Sequence, residues 1–394
     1  FNGIPFFSDA TNNSMYTHDV SGTDDTAQYN TAYGFAAMDA ITTGDSNVAI
    51  GKSAGTALTT GGSNVLVGKD AGDSLIAGAR NVAIGTDALQ SENDHGRNVA
   101  IGYEALFTQD AGADAYNVAV GYQAGVSVST GIKNTLIGGL AGDALNGGAN
   151  NVAVGYAALS AEDGHSANVA IGYQALTAQN AGADAYNVAV GYNAGVAVTT
   201  GTENTLIGGG AGDALTSGGR NTAIGYEALS AEDETGYAVA VGYQALRAQN
   251  SGGNSYNVAV GYNAGESVST GIENTLLGGK AGDALTTGSY NVAIGMDALD
   301  AEDTGSRNVA IGYNSLKALN YDGNGYNVAV GFDAGKAVST GIYNTIIGGL
   351  AGDALTTGSN NIAIGYLALS AENAHGKNIA IGVNALAVQD AGVD

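Results

Sequence analysis

Carboxylate side chains return at fixed places along this sequence, and they are the residues best suited to chemistry. One set lies in the phrase Ala-Gly-Asp-Ala-Leu, which contains Asp143, and another in Ala-Glu-Asp, which contains Glu162 and Asp163. Ca²⁺ favours clustered oxygen ligands, so these three residues are candidate calcium ligands. The calcium-binding nonapeptide of β-rolls is absent, and acidic turns facing solvent are the preferred interpretation. Paired acids for glycoside hydrolysis would need a cleft, which the sequence does not predict.

Histidine is the other candidate metal ligand. The chain has four, namely His18, His95, His165 and His375. The last three fall at one place in the repeat described below, where Thr235 and Gly305 stand in two other copies. Copies at that place would lie at least ~19 Å apart in stacked strands, too far to share a metal ion. The histidines are therefore interpreted as loop residues.

No motif predicts catalysis or cofactor binding, so the chain is not expected to be an enzyme. The glycine-rich stretch 138–148 lacks the Lys-Ser/Thr of a phosphate-binding loop and is interpreted as turn glycine. Several tyrosines, such as Tyr103 and Tyr122, directly follow a glycine. They are interpreted as packing between coils or chains, with carbohydrate or protein contact as the alternative. Threonine does not recur in every unit, which disfavours an ice-binding surface.

These residues are positioned by a repeat. The phrase Asn-Val-Ala-Ile/Val-Gly and its variants begin 21 units between Asn30 and Asn378. From Asn47 the steps run 17, 17, 17 and 19 residues, so that a super-repeat returns every 70 residues. The two extra residues fall in loops such as 111–116, and surface loops accept insertions at little cost. A degenerate unit is predicted to begin at Asn13.

Each unit has strictly divided positions, counted here from its Asn as position 0. Asn98, Asn117 and Asn168 represent position 0, which is Asn in all but one unit, where Ala238 stands. Position 4 is Gly in every unit, as in Gly102, Gly121 and Gly172. The residues between are β-branched or small, which predicts a strand closed by a glycine turn. These positions are interpreted as structural.

One large apolar residue per unit is supplied from either of two places. The first two coils of a super-repeat have Gly at position 8 and Leu or Val at position 11, as in Gly125 with Val128. The last two have Leu at position 8 and a polar residue at position 11, as in Leu176 with Gln179. Leu316 with Leu319 is a lapse. The exchange predicts a filled interior of fixed volume.

The fold class that follows is all-β, a parallel β-roll or β-solenoid of about 21 coils. Two short strands and two turns are expected per coil, and stacking at ~4.8 Å predicts a rod about 100 Å long. Residues 1–29 are expected to form a cap or junction, and residues 30–394 the rod, with the last coil incomplete. The small Ala on the second strand face predicts a close partner, and self-association with closed symmetry is the usual way to supply one. A homotrimer, which the resemblance given below implies, is the preferred form, with a monomer as the alternative.

Charge and composition restrict the partners. The net charge is −25, there is no Cys, and no apolar run reaches the length of a membrane span. An acidic surface repels phosphate backbones, so no nucleic-acid partner is expected. No membrane span is expected, because the apolar runs are too short.

The phrases at 98–106, 168–176 and 187–195 resemble the head domain of trimeric autotransporter adhesins, and the phrase at 221–230 is similar to repeats of bacteriophage tail-fibre proteins. The resemblance implies a left-handed β-roll made by three chains. The sequence departs from the adhesins in its longer repeat and in lacking Ser after the Asn.

The expected function is therefore a rigid fibre or adhesin segment, extracellular, at the cell surface or on a virion. It would act as a rigid spacer and would contact a host or other surface through a cell-surface protein or glycan receptor. The alternative is a self-assembling extracellular filament, joined through the apolar start and the unfinished last coil. Ice- or calcium-binding solenoids are remote alternatives, and no cofactor other than Ca²⁺ is predicted.

Overall fold

The computed structural model describes residues 7–9, 11–17, 26–234 and 236–388. Within them the chain is all-β, with no helix and with 23 strands of three residues each. The strands are β1 (Phe7–Asp9), β2 (Ser14–Tyr16), β3 (Thr31–Tyr33), β4 (Val48–Ile50), β5 (Val65–Val67), β6 (Val82–Ile84), β7 (Val99–Ile101), β8 (Val118–Val120), β9 (Thr135–Ile137), β10 (Val152–Val154), β11 (Val169–Ile171), β12 (Val188–Val190), β13 (Thr205–Ile207), β14 (Thr222–Ile224), β15 (Val239–Val241), β16 (Val258–Val260), β17 (Thr275–Leu277), β18 (Val292–Ile294), β19 (Val309–Ile311), β20 (Val328–Val330), β21 (Thr345–Ile347), β22 (Ile362–Ile364) and β23 (Ile379–Ile381).

The chain forms two compact units, Phe1–Asn193 and Ala194–Asp394. In the first, β3 to β12 pair in parallel, each with the next, and equivalent residues face each other, as Ala119 faces Leu136. In the second, β13 to β23 pair in the same way. The predicted parallel β-solenoid of about 21 turns is confirmed.

The first residues differ from the rest. β1 and β2 form an antiparallel pair, and β2 joins β3 through Met15 opposite Thr31. That register puts Ser14 at position 0, and the Ser14 hydroxyl accepts the Asn30 amide at 3.1 Å. The degenerate unit therefore begins one residue later than the predicted Asn13. His18 and residues 1–6, 10 and 19–25 lie outside the described residues, as do Thr235 and residues 389–394 of the last coil.

Each coil has one strand, where two were expected. The return path still bonds to the next coil, since the Leu106 amide donates to the Ala124 carbonyl at 3.1 Å. Its backbone is not extended, because Glu104 and Leu106 have φ of 52° and 48°. Left-handed residues at positions 6 and 8 interrupt strand geometry while leaving coil-to-coil hydrogen bonds in place.

The strand faces are opposite to the expectation. In β11 the central Ala170 is fully buried and Ile171 is 37% exposed. The same pattern, with a buried middle residue, holds in β3 to β23. In most coils Ala therefore fills the interior at this place, with Leu or Ile in the second coil of each super-repeat, as at Leu136, and the residues at positions 1 and 3 face outward. Ala170 is already covered inside the coil, and the apolar face that remains partly exposed is the Val/Ile face.

Candidate functional site

The predicted Asn positions form a buried hydrogen-bonded ladder. The backbone N–H of Asn117 donates to Oδ1 of Asn98 at 3.1 Å, and the backbone N–H of Asn98 donates to Oδ1 of Asn81 at 3.0 Å. The Asn187 amide is held in the same way by Asn168, at 3.2 Å. Side-chain Nδ2 atoms bond to carbonyls of the same coil, as Asn117 does with Gly131 at 2.8 Å. The backbone amides of these Asn residues are thus paired, as burial of polar groups requires, whereas Nδ2 of Asn98 is buried and has no hydrogen-bond partner.

The glycines at position 4 allow neighbouring coils to touch. Gly102, Gly121 and Gly172 have φ of 136°, 145° and 139°. A Cβ on Gly102 would lie 2.2 Å from the carbonyl oxygen of Gly121, and one on Gly172 would lie 2.2 Å from that of Gly191. No side chain fits such a contact, so the glycine is required both for φ and for space.

The two places for the large apolar residue fill one volume. Leu176 and Val128 are both fully buried. A Cβ on Gly125 would lie 2.7 Å from Leu136 and 3.1 Å from Val128, so Gly125 makes room for them. Leu316 and Leu319 are buried together in the exceptional coil. There Leu319 stands where Gln109 and Gln179 stand in the equivalent coils, so one buried amide is replaced by a hydrocarbon.

An outward apolar face runs beside the strands. It comprises the β-branched residues at positions 1 and 3 and the aromatic residue at position 5, and we call it the Val/Ile/Tyr face. Tyr173 stacks on Tyr192 with centroids 5.4 Å apart and an angle of 9°, and on Tyr156 at 5.6 Å. These rings remain 44–63% exposed after stacking. The exposed rings therefore stack in short groups, such as Tyr156, Tyr173 and Tyr192, and Gly139 stands at position 5 of the coil before this group. Such exposed groups are available to a partner.

One glutamate in each super-repeat lies inside its coil. Position 11 of the third coil of each super-repeat is a fully buried Glu, at Glu92, Glu162, Glu232, Glu302 and Glu372. The expectation of a solvated turn is wrong for Glu162, whereas the Asp163 side chain is 63% exposed. Position 11 belongs to the interior wall, and there Glu162 accepts the His165 amide at 3.1 Å.

Burial changes the acidity of several carboxyl groups. Desolvation raises the pKa of Glu92, and it raises the pKa of Glu302 to about 7 against the bonds that Glu302 accepts from backbone amides. The pKa of Asp143 is also raised, mainly by desolvation. The pKa of Asp283 is raised to about 7, mainly by desolvation and then by a hydrogen bond with Asp300. Removing a carboxylate from water disfavours its charged form.

Among the described residues, two clusters could hold a metal ion. Glu92, His95 and Asp110 bring ligand atoms within 4.8 Å of one another, and so do Glu162, Asp163 and His165. The predicted calcium set is thus only partly brought together, because Asp143 is in neither cluster. The structure adds His95 and His165, which had been interpreted as loop residues. Their signal in the sequence was the Glu three residues before each of them.

A surface depression was not expected from the sequence. It measures about 550 Å³ and lies between Lys317, Lys336, Asp333 and Asp353. Lys317 Nζ is 2.7 Å from Asp297, and Lys336 Nζ is 3.2 Å from Asp333. Each ammonium group is therefore already paired with a carboxylate.

Comparison with known proteins leaves the fold as the basis of classification. Neither a protein-family model nor a curated protein sequence matches this chain. The structure defines the class, an all-β repeat protein of the parallel β-solenoid type. No helix among the described residues has the length and apolarity of a membrane span.

Proposed function

We propose that this chain is a rigid structural segment of an extracellular or virion fibre, assembled as a homotrimer through its Val/Ile/Tyr face. The single observation that carries the proposal is that face. Ile171 and Tyr173 are 37% and 44% exposed, the residues at positions 1 and 3 are half-buried or exposed in β3 to β23, and exposed aromatic rings recur at position 5, interrupted by a Gly such as Gly139. Contiguous exposed apolar surface in a regular array is typical of an interaction site, and closed symmetry is the usual way to cover it.

Stiffness is supported by the interior of each unit. Every parallel strand pair is in register, and the Asn ladder adds a second line of hydrogen bonds beside the strands, such as Asn134 to Asn117 at 2.8 Å. Bending would strain both lines together. Repeats that contact only their neighbours make a length-adjustable spacer. The resemblance to adhesin heads and tail fibres supports a left-handed trimer and attachment to a surface protein or glycan.

Sedimentation velocity on the purified chain tests the assembly. We expect a discrete particle of three times the 38.8 kDa chain mass. Ile171→Lys places a charge on the Val/Ile/Tyr face and should dissociate it without changing the circular dichroism spectrum. The matched control is Ala183→Lys, in an exposed loop of the same coil, which should remain trimeric. A wild-type monomer would contradict the proposal.

A filament of chains joined end to end is the second candidate, and it would use the edge of strand β23. Ile379 and Ile381 are 64% and 65% exposed, so this strand has an uncovered edge face. A further coil of a longer chain or a second copy of this chain would cover it equally well. Open-ended polymers in electron micrographs would replace the spacer by the filament, whereas discrete particles would support the spacer.

A further inference from the structure

The first metal-ligand cluster is built by two adjacent coils. Glu92 and His95 belong to one coil, and Asp110 belongs to the next, 17 residues after Asn93. Asn93 donates from Nδ2 to Asp110 at 3.4 Å, so position 12 of one coil lies beside position 12 of the next. The ligand atoms of Glu92, His95 and Asp110 therefore meet at one edge of the stack.

The second cluster has the same composition with the aspartate exchanged between coils. Here Asp163 is in the histidine's own coil, and the next coil has Asn180 at the position of Asp110. Each cluster thus has one buried Glu, one His and one Asp. His165 Nδ1 lies 2.7 Å from Glu162 and 3.9 Å from Asp163.

Both clusters contain buried polar atoms that have no hydrogen-bond partner. Oε2 of Glu92 and Oε2 of Glu162 are unpartnered, in side chains that are fully buried. Nδ1 of His95 is also buried and unpartnered, 3.7 Å from Oε1 of Glu92. Leaving buried polar atoms without a hydrogen-bond partner is destabilising. A cation at the cluster would satisfy the oxygen and the nitrogen together.

The ligand chemistry identifies the class of cation. Calcium takes oxygen ligands only, whereas one imidazole nitrogen with carboxylate oxygens suits Zn²⁺ and related first-row divalent ions. We propose that Glu92, His95 and Asp110 bind a divalent transition-metal ion of the Zn²⁺ type, and that Glu162, Asp163 and His165 bind a second. Two carboxylates and a neutral imidazole balance the charge of a dication, and water completes the coordination.

The chain supplies its own reference for a coil without the ligand. Gly305 stands at the place of His95 and His165, and its amide donates to Glu302 at 2.7 Å. The His95 amide donates to Glu92 at 3.1 Å in the same way. Replacing His95 by Gly therefore keeps the backbone contact of the coil and removes only the imidazole.

Titration calorimetry with ZnCl₂ on the chelator-treated full chain, in millimolar Ca²⁺, tests the proposal. Saturable Zn²⁺ binding is expected, with at least one equivalent for each of the two clusters. His95→Gly should remove one equivalent, and His95→Gly with His165→Gly should remove two. The control Asp143→Asn changes a carboxylate outside both clusters and should leave the stoichiometry unchanged.

Co²⁺ absorption gives a readout of the ligand type, because bands of a low-symmetry nitrogen–oxygen site should weaken in each histidine variant. The proposal is overturned if Zn²⁺ does not bind, or if Ca²⁺ abolishes the binding. It is equally overturned if the double histidine variant binds as much Zn²⁺ as the wild type, which would indicate adsorption to the acidic surface. Circular dichroism of every variant establishes that the fold is retained.

Discussion

The amide of Gly305 donates to Oε1 of Glu302 at 2.7 Å, inside a coil where that carboxyl group is completely buried. The contact ties a titratable group to the backbone of the third coil. It recurs three residues after each equivalent glutamate where it is described, at 2.9 Å between His375 and Glu372. Protonation of the interior and the stability of the coil are therefore linked.

Glu302 should make the second unit more stable at pH 5 than at pH 8. Its pKa is raised from 4.5 to about 7 in the folded chain, so the folded state binds the proton more tightly than the unfolded state. The stabilisation is complete below the unfolded pKa and is lost as pH rises through about 7. The shift corresponds to about 3 kcal/mol at most. Urea midpoints at the two pH values measure it.

Glu302→Gln isolates that effect from the general repulsion of an acidic chain. The amide oxygen still accepts the Gly305 amide but does not ionise. We expect the variant to lose the part of the pH dependence that Glu302 contributes, while the part from Asp283 remains, and to slow hydrogen exchange at Gly305 at pH 8. An unchanged pH dependence would contradict the assignment to Glu302.

The Asn ladder should be weakened by Asn168→Ala. The change leaves the buried Asn187 amide without its acceptor and should cost about 1–3 kcal/mol. The reverse change is available at Ala238, whose amide already donates to Asn221 at 3.0 Å. Ala238→Asn should raise the thermal midpoint by restoring the missing acceptor. The ladder would be shown not to be stabilising if Asn168→Ala did not lower the stability and Ala238→Asn did not raise it.

Gly242→Ala should disrupt the stacking of adjacent coils. The new Cβ would lie 2.2 Å from the Gly261 carbonyl oxygen at a backbone φ of 140°. We expect a loss of more than about 3 kcal/mol, or failure to fold. Gly253→Ala, in an open loop with nothing within 4 Å of the new Cβ, is the control and should be close to neutral. Differential scanning calorimetry compares the two.

The exchange between positions 8 and 11 can be tested by a double-mutant cycle. Leu176→Gly removes a fully buried side chain and should cost about 3–5 kcal/mol. Adding Gln179→Leu should recover part of that loss, because Leu at position 11 fills the same interior in other coils. Recovery is incomplete because Gln179 accepts a bond from Asn187 at 2.5 Å. Strict additivity of the two changes would contradict a shared volume.

The sequence predicted the coil and its phase because 21 copies make each position visible. It did not predict which strand face is internal, since both faces are apolar and the small Ala170 could have met either a core or a partner. It also placed Glu162 in solvent, because residue type suggested a turn. The burial of Glu162 depends on the left-handed residues that redirect the return path, and composition does not reveal these.

The Asn ladder gives each stack a chemical direction. In the ladder, the side-chain oxygen of one Asn accepts a hydrogen bond from the backbone amide of the following coil, as Oδ1 of Asn98 accepts from Asn117. One end of the ladder therefore offers an acceptor and the other end a donor. New coils can be added only with the same sense. Gene duplication in multiples of a whole coil would therefore lengthen the stack without creating a mismatched junction, whereas inverted joining would leave two like groups facing each other.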